Sequence, residues 1–143
     1  MHLKEIMTRD VEVVRPDATL QEAAGRMKAL DVGVIPVCDG EHLMGMLTDR
    51  DITVRATAAG RDPRTTHVRD VMTPDVVYCF EDQDVTEAQR LMQERQIRRL
   101  LILNRDKRLA GVVSLGDLAV KAGADKVGGA VLERVSEPAQ PKR

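Results

Sequence analysis

Two short stretches carry the same pair of reactive side-chain types. "GMLTDRDI" (45–52) puts Thr48 three residues before Asp51, and "GVVSLGDL" (111–118) puts Ser114 three residues before Asp117. An apolar run leads into each hydroxyl. At a helix start this spacing closes a capping box: the hydroxyl accepts from the amide three residues on, and the carboxylate accepts from the cap amide. Each cap stabilises its helix by about 1 kcal/mol. The two aspartates match one another in separate parts of the chain. They therefore read as two hydrogen-bond acceptors, not as the acid and base of one catalytic pair. "IRRLLIL" (97–103) adds adjacent guanidinium groups, Arg98 and Arg99, ahead of an apolar run. Such forks hold phosphate oxygens bidentately, and at a strand edge they also serve as plain solvated charge. Arg50 and Arg55 follow Thr48 and face either a cleft or solvent.

Little else in the chain is chemically reactive. There is no Ser/His/Asp order, no G-x-x-x-x-G-K-[ST] loop and no HExxH, so no enzymatic activity and no cofactor are expected. Cys38 and Cys79 stand singly, without the spacing of a zinc knuckle or redox pair, and read as small buried hydrophobes. His2, His42 and His67 are scattered, so no metal site is expected. A net charge of −1, with no Trp, one Tyr and one Phe, gives neither the basic footprint nor the stacking platforms of a nucleic-acid binder. No apolar run approaches a membrane span, and "MHLKEIMTRD" is too polar for a signal peptide. The expectation is a soluble, cytoplasmic protein with 43% hydrophobic residues to build a core.

The elements that must position these residues come from a chain that repeats itself. "LKEIMTRDVEVV" (3–14) lies over "VRDVMTPDVVYC" (68–79) at an offset of 65. The offset holds through Met27 and Met92, then becomes 66, pairing Gly45 with Gly111 and Asp51 with Asp117. The expected divisions are 1–58, a linker at 59–65, 66–123, and 124–143 as a further helix (125–136) with a loose tail. Each half predicts a short helix (2–7; 66–72) and an extended piece (11–14; 76–79). An amphipathic helix capped by Thr19 or Asp84 comes next. Its buried stripe is Leu20, Ala23, Ala24, Met27 and Leu30, or Val85, Ala88, Leu91 and Met92. Two apolar strands and a last helix complete the half. The order β-α-β-β-α, twice, predicts an α/β fold with two small sheets covered by helices.

The recurrence of "IMT", "GVIPV" and "GMLTDRDI" resembles the cystathionine-β-synthase (CBS) domain, and the pair resembles a Bateman module. "GMLTDRDI" followed by "AAGRDP" is similar to stand-alone two-repeat bacterial proteins of the hypoxic-response type. The resemblance spans residues 1 to about 122. It implies two clefts between the repeats that hold adenine nucleotides (AMP, ADP or ATP), and a homodimer.

In the family, Thr/Ser-x-x-Asp holds the ribose. A carboxylate there can accept both hydroxyls of the diol, and the helix start offers amide donors near a phosphate. The resemblance gives one cleft Thr48, Asp51, Thr73, Val76, Val77, Arg98 and Arg99. The other receives Thr8, Val11, Glu12, Val34, Ser114 and Asp117, with Gly33 and Val34 where the arginines would be. Adenine would lie against backbone near Val11 and Glu12, or near Val76 and Val77. The first cleft is expected to bind more tightly, because the arginines supply charge-assisted bonds and Glu12 burdens the second. The alternative is a ligand-independent scaffold for an unidentified protein partner. The helix faces bearing Ile52, Val54, Ala56, Leu118 and Val120 are the expected dimer surface.

Overall fold

The computed structural model describes residues 1–121; the expected helix 125–136 and the tail lie outside them. Two compact units emerge. One is continuous, Glu12–Val76. The other combines Met1–Val11 with the chain from Val77 on. The units therefore do not coincide with the sequence repeats: the first eleven residues pack with the second half.

The continuous unit holds α1 (Leu20–Leu30), β1 (Val34–Asp39), β2 (His42–Thr48), a π-helix (Asp51–Thr57) and a 3-10 turn (Val68–Asp70). β1 and β2 pair antiparallel across the Gly40–Glu41 turn, where Gly40 has φ +62°. Thr19 caps α1 as expected, accepting from the Glu22 amide at 3.2 Å. The buried stripe of α1 is narrower than its sequence suggests. Leu20, Ala23 and Met27 enter the core, while Ala24 and Leu30 stay exposed. The core also takes Val14, Ile35, Val37, Leu47, Ala56, Val68 and Val71.

The second unit holds the 3-10 turn Leu3–Glu5, β3 (Tyr78–Phe80), α2 (Val85–Arg95), β4 (Arg99–Leu103), β5 (Leu109–Ser114) and α3 (Leu115–Val120). Its sheet runs β3-β4-β5, parallel then antiparallel. The core joins Leu3, Ile6 and Met7 to Cys79, Ala88, Met92, Leu100, Ile102, Val113, Leu115 and Leu118. Four successive buried residues in β1 and in β4 mark strands covered on both faces.

Two elements differ from expectation. The extended piece 11–14 is reduced to a single parallel bridge, Val14 to Val37, whereas its counterpart forms β3. In the second unit the Glu81 amide continues the ladder, donating to Leu103 O at 2.8 Å. The matching residue, 65 positions earlier, is Pro16, which has no amide to donate. The helix after Thr48 is π-form over Asp51–Thr57, with Ala58 and Arg61 amides bonded five residues back to Thr53 O and Ala56 O.

Candidate functional site

Both capping boxes form. Helical backbone begins at Asp49, so Thr48 is the cap: its Oγ1 accepts the Asp51 amide at 2.9 Å, and Asp51 Oδ2 accepts the Thr48 amide at 3.0 Å. In the second unit Ser114 Oγ accepts the Asp117 amide at 3.0 Å, and Asp117 Oδ2 accepts the Ser114 amide at 2.8 Å.

A second segment arrives beside each box by the same device. Thr73 exchanges backbone bonds with Met46, both at 2.8 Å, and Thr8 does so with Val112 at 2.9 and 3.0 Å. This close approach explains the matching glycines. A Cβ on Gly45 would stand 2.6 Å from Thr73 O, and one on Gly111 2.7 Å from Thr8 O. Only a residue without a side chain fits there.

The two carboxylates differ in their surroundings. Asp51 is 7% exposed. The Thr73 hydroxyl donates to it, 3.2 Å from Oδ1 and 3.3 Å from Oδ2, and Arg55 Nε stands 3.7 Å from Oδ1. The Thr73 donor and the Arg55 cation offset the cost of burying this carboxylate. The side chain of Asp117 is 16% exposed, against 9% for Asp51. Lys121 Nζ lies 3.3 Å from its Oδ1, and the exposed Thr8 makes no hydrogen bond to it. Arg55 also donates to Met72 O at 3.2 Å and Val71 O at 3.4 Å, and Lys121 donates to Ile6 O at 3.5 Å. Local sequence leaves Arg55 open between cleft and solvent, and no motif singles out Lys121. The available signal was their match at the offset of 66.

Of the expected residues, the structure brings Thr48, Asp51 and Thr73 together in the continuous unit. Ser114 and Asp117 meet in the other, with Thr8 on the adjoining segment. Arg99 is the register partner of Ser114, and the Leu115 amide donates to Arg98 O at 2.8 Å. Val34 likewise faces Thr48, and the Asp49 amide donates to Gly33 O at 2.9 Å. The two scaffolds match; only one carries guanidinium groups. The chain crosses between units at Val11–Glu12 and Val76–Val77, and Glu12 is ion-paired with Arg26.

An open groove of about 580 Å³ lies elsewhere in the continuous unit, lined by Val13, Arg15, Asp17, Glu22 and Arg26 among others. It includes no candidate residue. Both cysteines are free and buried, and burial pushes each thiol up to about 11. Neither is poised as a nucleophile. Among the described residues no three His, Cys, Asp or Glu side chains gather as a metal site, and no helix is long and apolar enough to cross a membrane.

The family model for the CBS domain matches residues 3–56 and 68–122. A CBS domain-containing protein of Bacillus subtilis, YhcV, is 44% identical over 134 residues, covering 94% of each chain. Hypoxic response protein 1 of Mycobacterium tuberculosis is 36% identical over 117 residues, 81% of each. A solved structure of Hypoxic Response Protein I with two coordinated zinc ions superposes with TM-score 0.73 at 35% identity, covering 83% of this chain and 97% of that one. The fold is also that of CBSX2, solved in complex with AMP: TM-score 0.71, 24% identity, 87% and 98% covered. With both repeats matched and both junction motifs in place, the chain belongs to the CBS-domain family as a CBS pair.

Proposed function

We propose that this CBS pair is a regulatory module that binds an adenine nucleotide through Asp51 and Asp117, each accepting the ribose diol, and that it performs no catalysis itself. One observation carries this reading: the same bonded hydroxyl–carboxylate pair stands at the strand-to-helix junction of both units. AMP in the CBSX2 structure accords with it at the level of the fold. Thermal unfolding with AMP, ADP, ATP and S-adenosylmethionine tests it, since a ligand selective for the native state raises Tm. No shift with any of them refutes it.

The tighter cleft combines Thr48, Asp51, Thr73, Val76 and Val77 with Arg98 and Arg99; the weaker one combines Thr8, Val11, Glu12, Val34, Ser114 and Asp117. The reason is the charge difference at positions 98–99 against 33–34. A double-mutant cycle by calorimetry decides it. Arg98→Ala with Arg99→Ala should be non-additive with Asp51→Asn and additive with Asp117→Asn.

The module acts as a homodimer, and this reading also draws on the surface. Among the described residues, four of the six exposed large apolar side chains, Leu30, Val34, Met44 and Val54, belong to the continuous unit. Ala56 and Leu118, expected at the dimer surface, are instead inside the two cores, and Ile52 is half-buried against one of them, leaving Val54 (49% exposed) and Val120 (80%) as the exposed members of that set. Light scattering at micromolar concentration should give twice the monomer mass. An intact dimer with no ligand response would favour the scaffold reading.

A further inference from the structure

We propose that Arg55 and Lys121 are the positioning residues of the two ribose-accepting carboxylates, which rests on the reading above. Each cation lies four residues after its aspartate and bridges two groups. Arg55 spans from Asp51 Oδ1, at 3.7 Å, to Met72 O and Val71 O, at 3.2 and 3.4 Å. Lys121 spans from Asp117 Oδ1, at 3.3 Å, to Ile6 O at 3.5 Å. Ile6 and Val71 are equivalent residues of the repeat. Each is the C-cap of a 3-10 turn, where carbonyls lack intrahelical partners.

A surface ion pair at this spacing needs no carbonyl contact, and it contributes little. A carbonyl cap, conversely, needs no carboxylate contact. The side chains do both in each unit. They do so although one is Arg on a π-helix and the other Lys at the end of an α-helix. Tethering the cation to backbone at its outer end fixes it against Oδ1. That holds the carboxylate plane while Oδ2 stays on the cap amide, and orientation is what a bidentate diol acceptor requires.

The test is calorimetry on the full chain with two probes, AMP and 2′,3′-dideoxyadenosine monophosphate, which lacks the diol. Arg55→Gln with Lys121→Gln should weaken AMP by about tenfold and leave the dideoxy probe within error of wild type. Arg55→Lys should retain AMP binding, since the second unit already uses Lys. Equal losses for both probes, or no loss for AMP, overturn the positioning role. If the double variant fails to fold, Lys121→Arg and Arg55→Lys read the same comparison: AMP affinity lost with either conservative exchange overturns it. Wild-type protein that binds neither probe refutes the nucleotide reading itself, a result distinct from these.

Discussion

A hydroxyl separates the two acidic motifs more than the carboxylates do. Thr73 donates to the buried Asp51, whereas its repeat partner Thr8 stands exposed. Removing a donor to a buried charge costs about 1–3 kcal/mol. Thr73→Val should therefore destabilise by that order in urea unfolding, and Thr8→Val by little. Gly45→Ala and Gly111→Ala should each cost about 2 kcal/mol, because the new methyl meets backbone that is itself in a ladder. A Tm unchanged in both would show that the segment yields. Cys38 and Cys79, with thiols near 11, should resist a thiol reagent at neutral pH until the protein unfolds. Asp84 titrates the other way. Bonds from the Thr86 hydroxyl and amide hold its carboxyl at about 2, below the usual 3.8. Its contribution is complete above about pH 4 and is lost as pH falls through about 2. Asp84→Asn should flatten the fall of Tm across that window.

At the scale of elements, the caps were the most legible feature. Thr19, Thr48, Asp84 and Ser114 all cap in the structure, because capping is local chemistry read within four residues. The duplicated order of helices and strands was equally open, since hydrophobic period and repeat offset agree. Two things were hidden. The π-form of the helix after Thr48 has no pattern of its own, as its apolar residues fit either winding. The loss of the first strand turns on one missing amide at Pro16, visible only once Glu81 is seen in its ladder. In the candidate site, side-chain identity was legible and tether was not. Arg55 and Lys121 bind carbonyls 17 and 115 residues away in sequence, which no local spacing announces.

For the whole molecule, the compact units cut across the duplication. Residues 12–76 form a unit from one continuous stretch, while the second needs Leu3, Ile6 and Met7 from the far end of the chain. A fragment of residues 12–76 should thus unfold cooperatively on its own by circular dichroism. A fragment from residue 66 onward should not, until a peptide of residues 1–11 is added. If that fragment folds unaided, the borrowed segment is dispensable. The same arrangement orders events on the ribosome, where the chain emerges from its N-terminus. The first eleven residues are made first, yet their partners in β5 and α3 are among the last of the described residues to appear. The unit of residues 12–76 can close before residues 1–11 meet even their nearer partners, Glu81, Gln83 and Val85. Until α2, β5 and α3 are made, Leu3, Ile6 and Met7 lack the core of Ala88, Met92, Val113, Leu115 and Leu118 that buries them in the folded unit, so that core closes only late in synthesis.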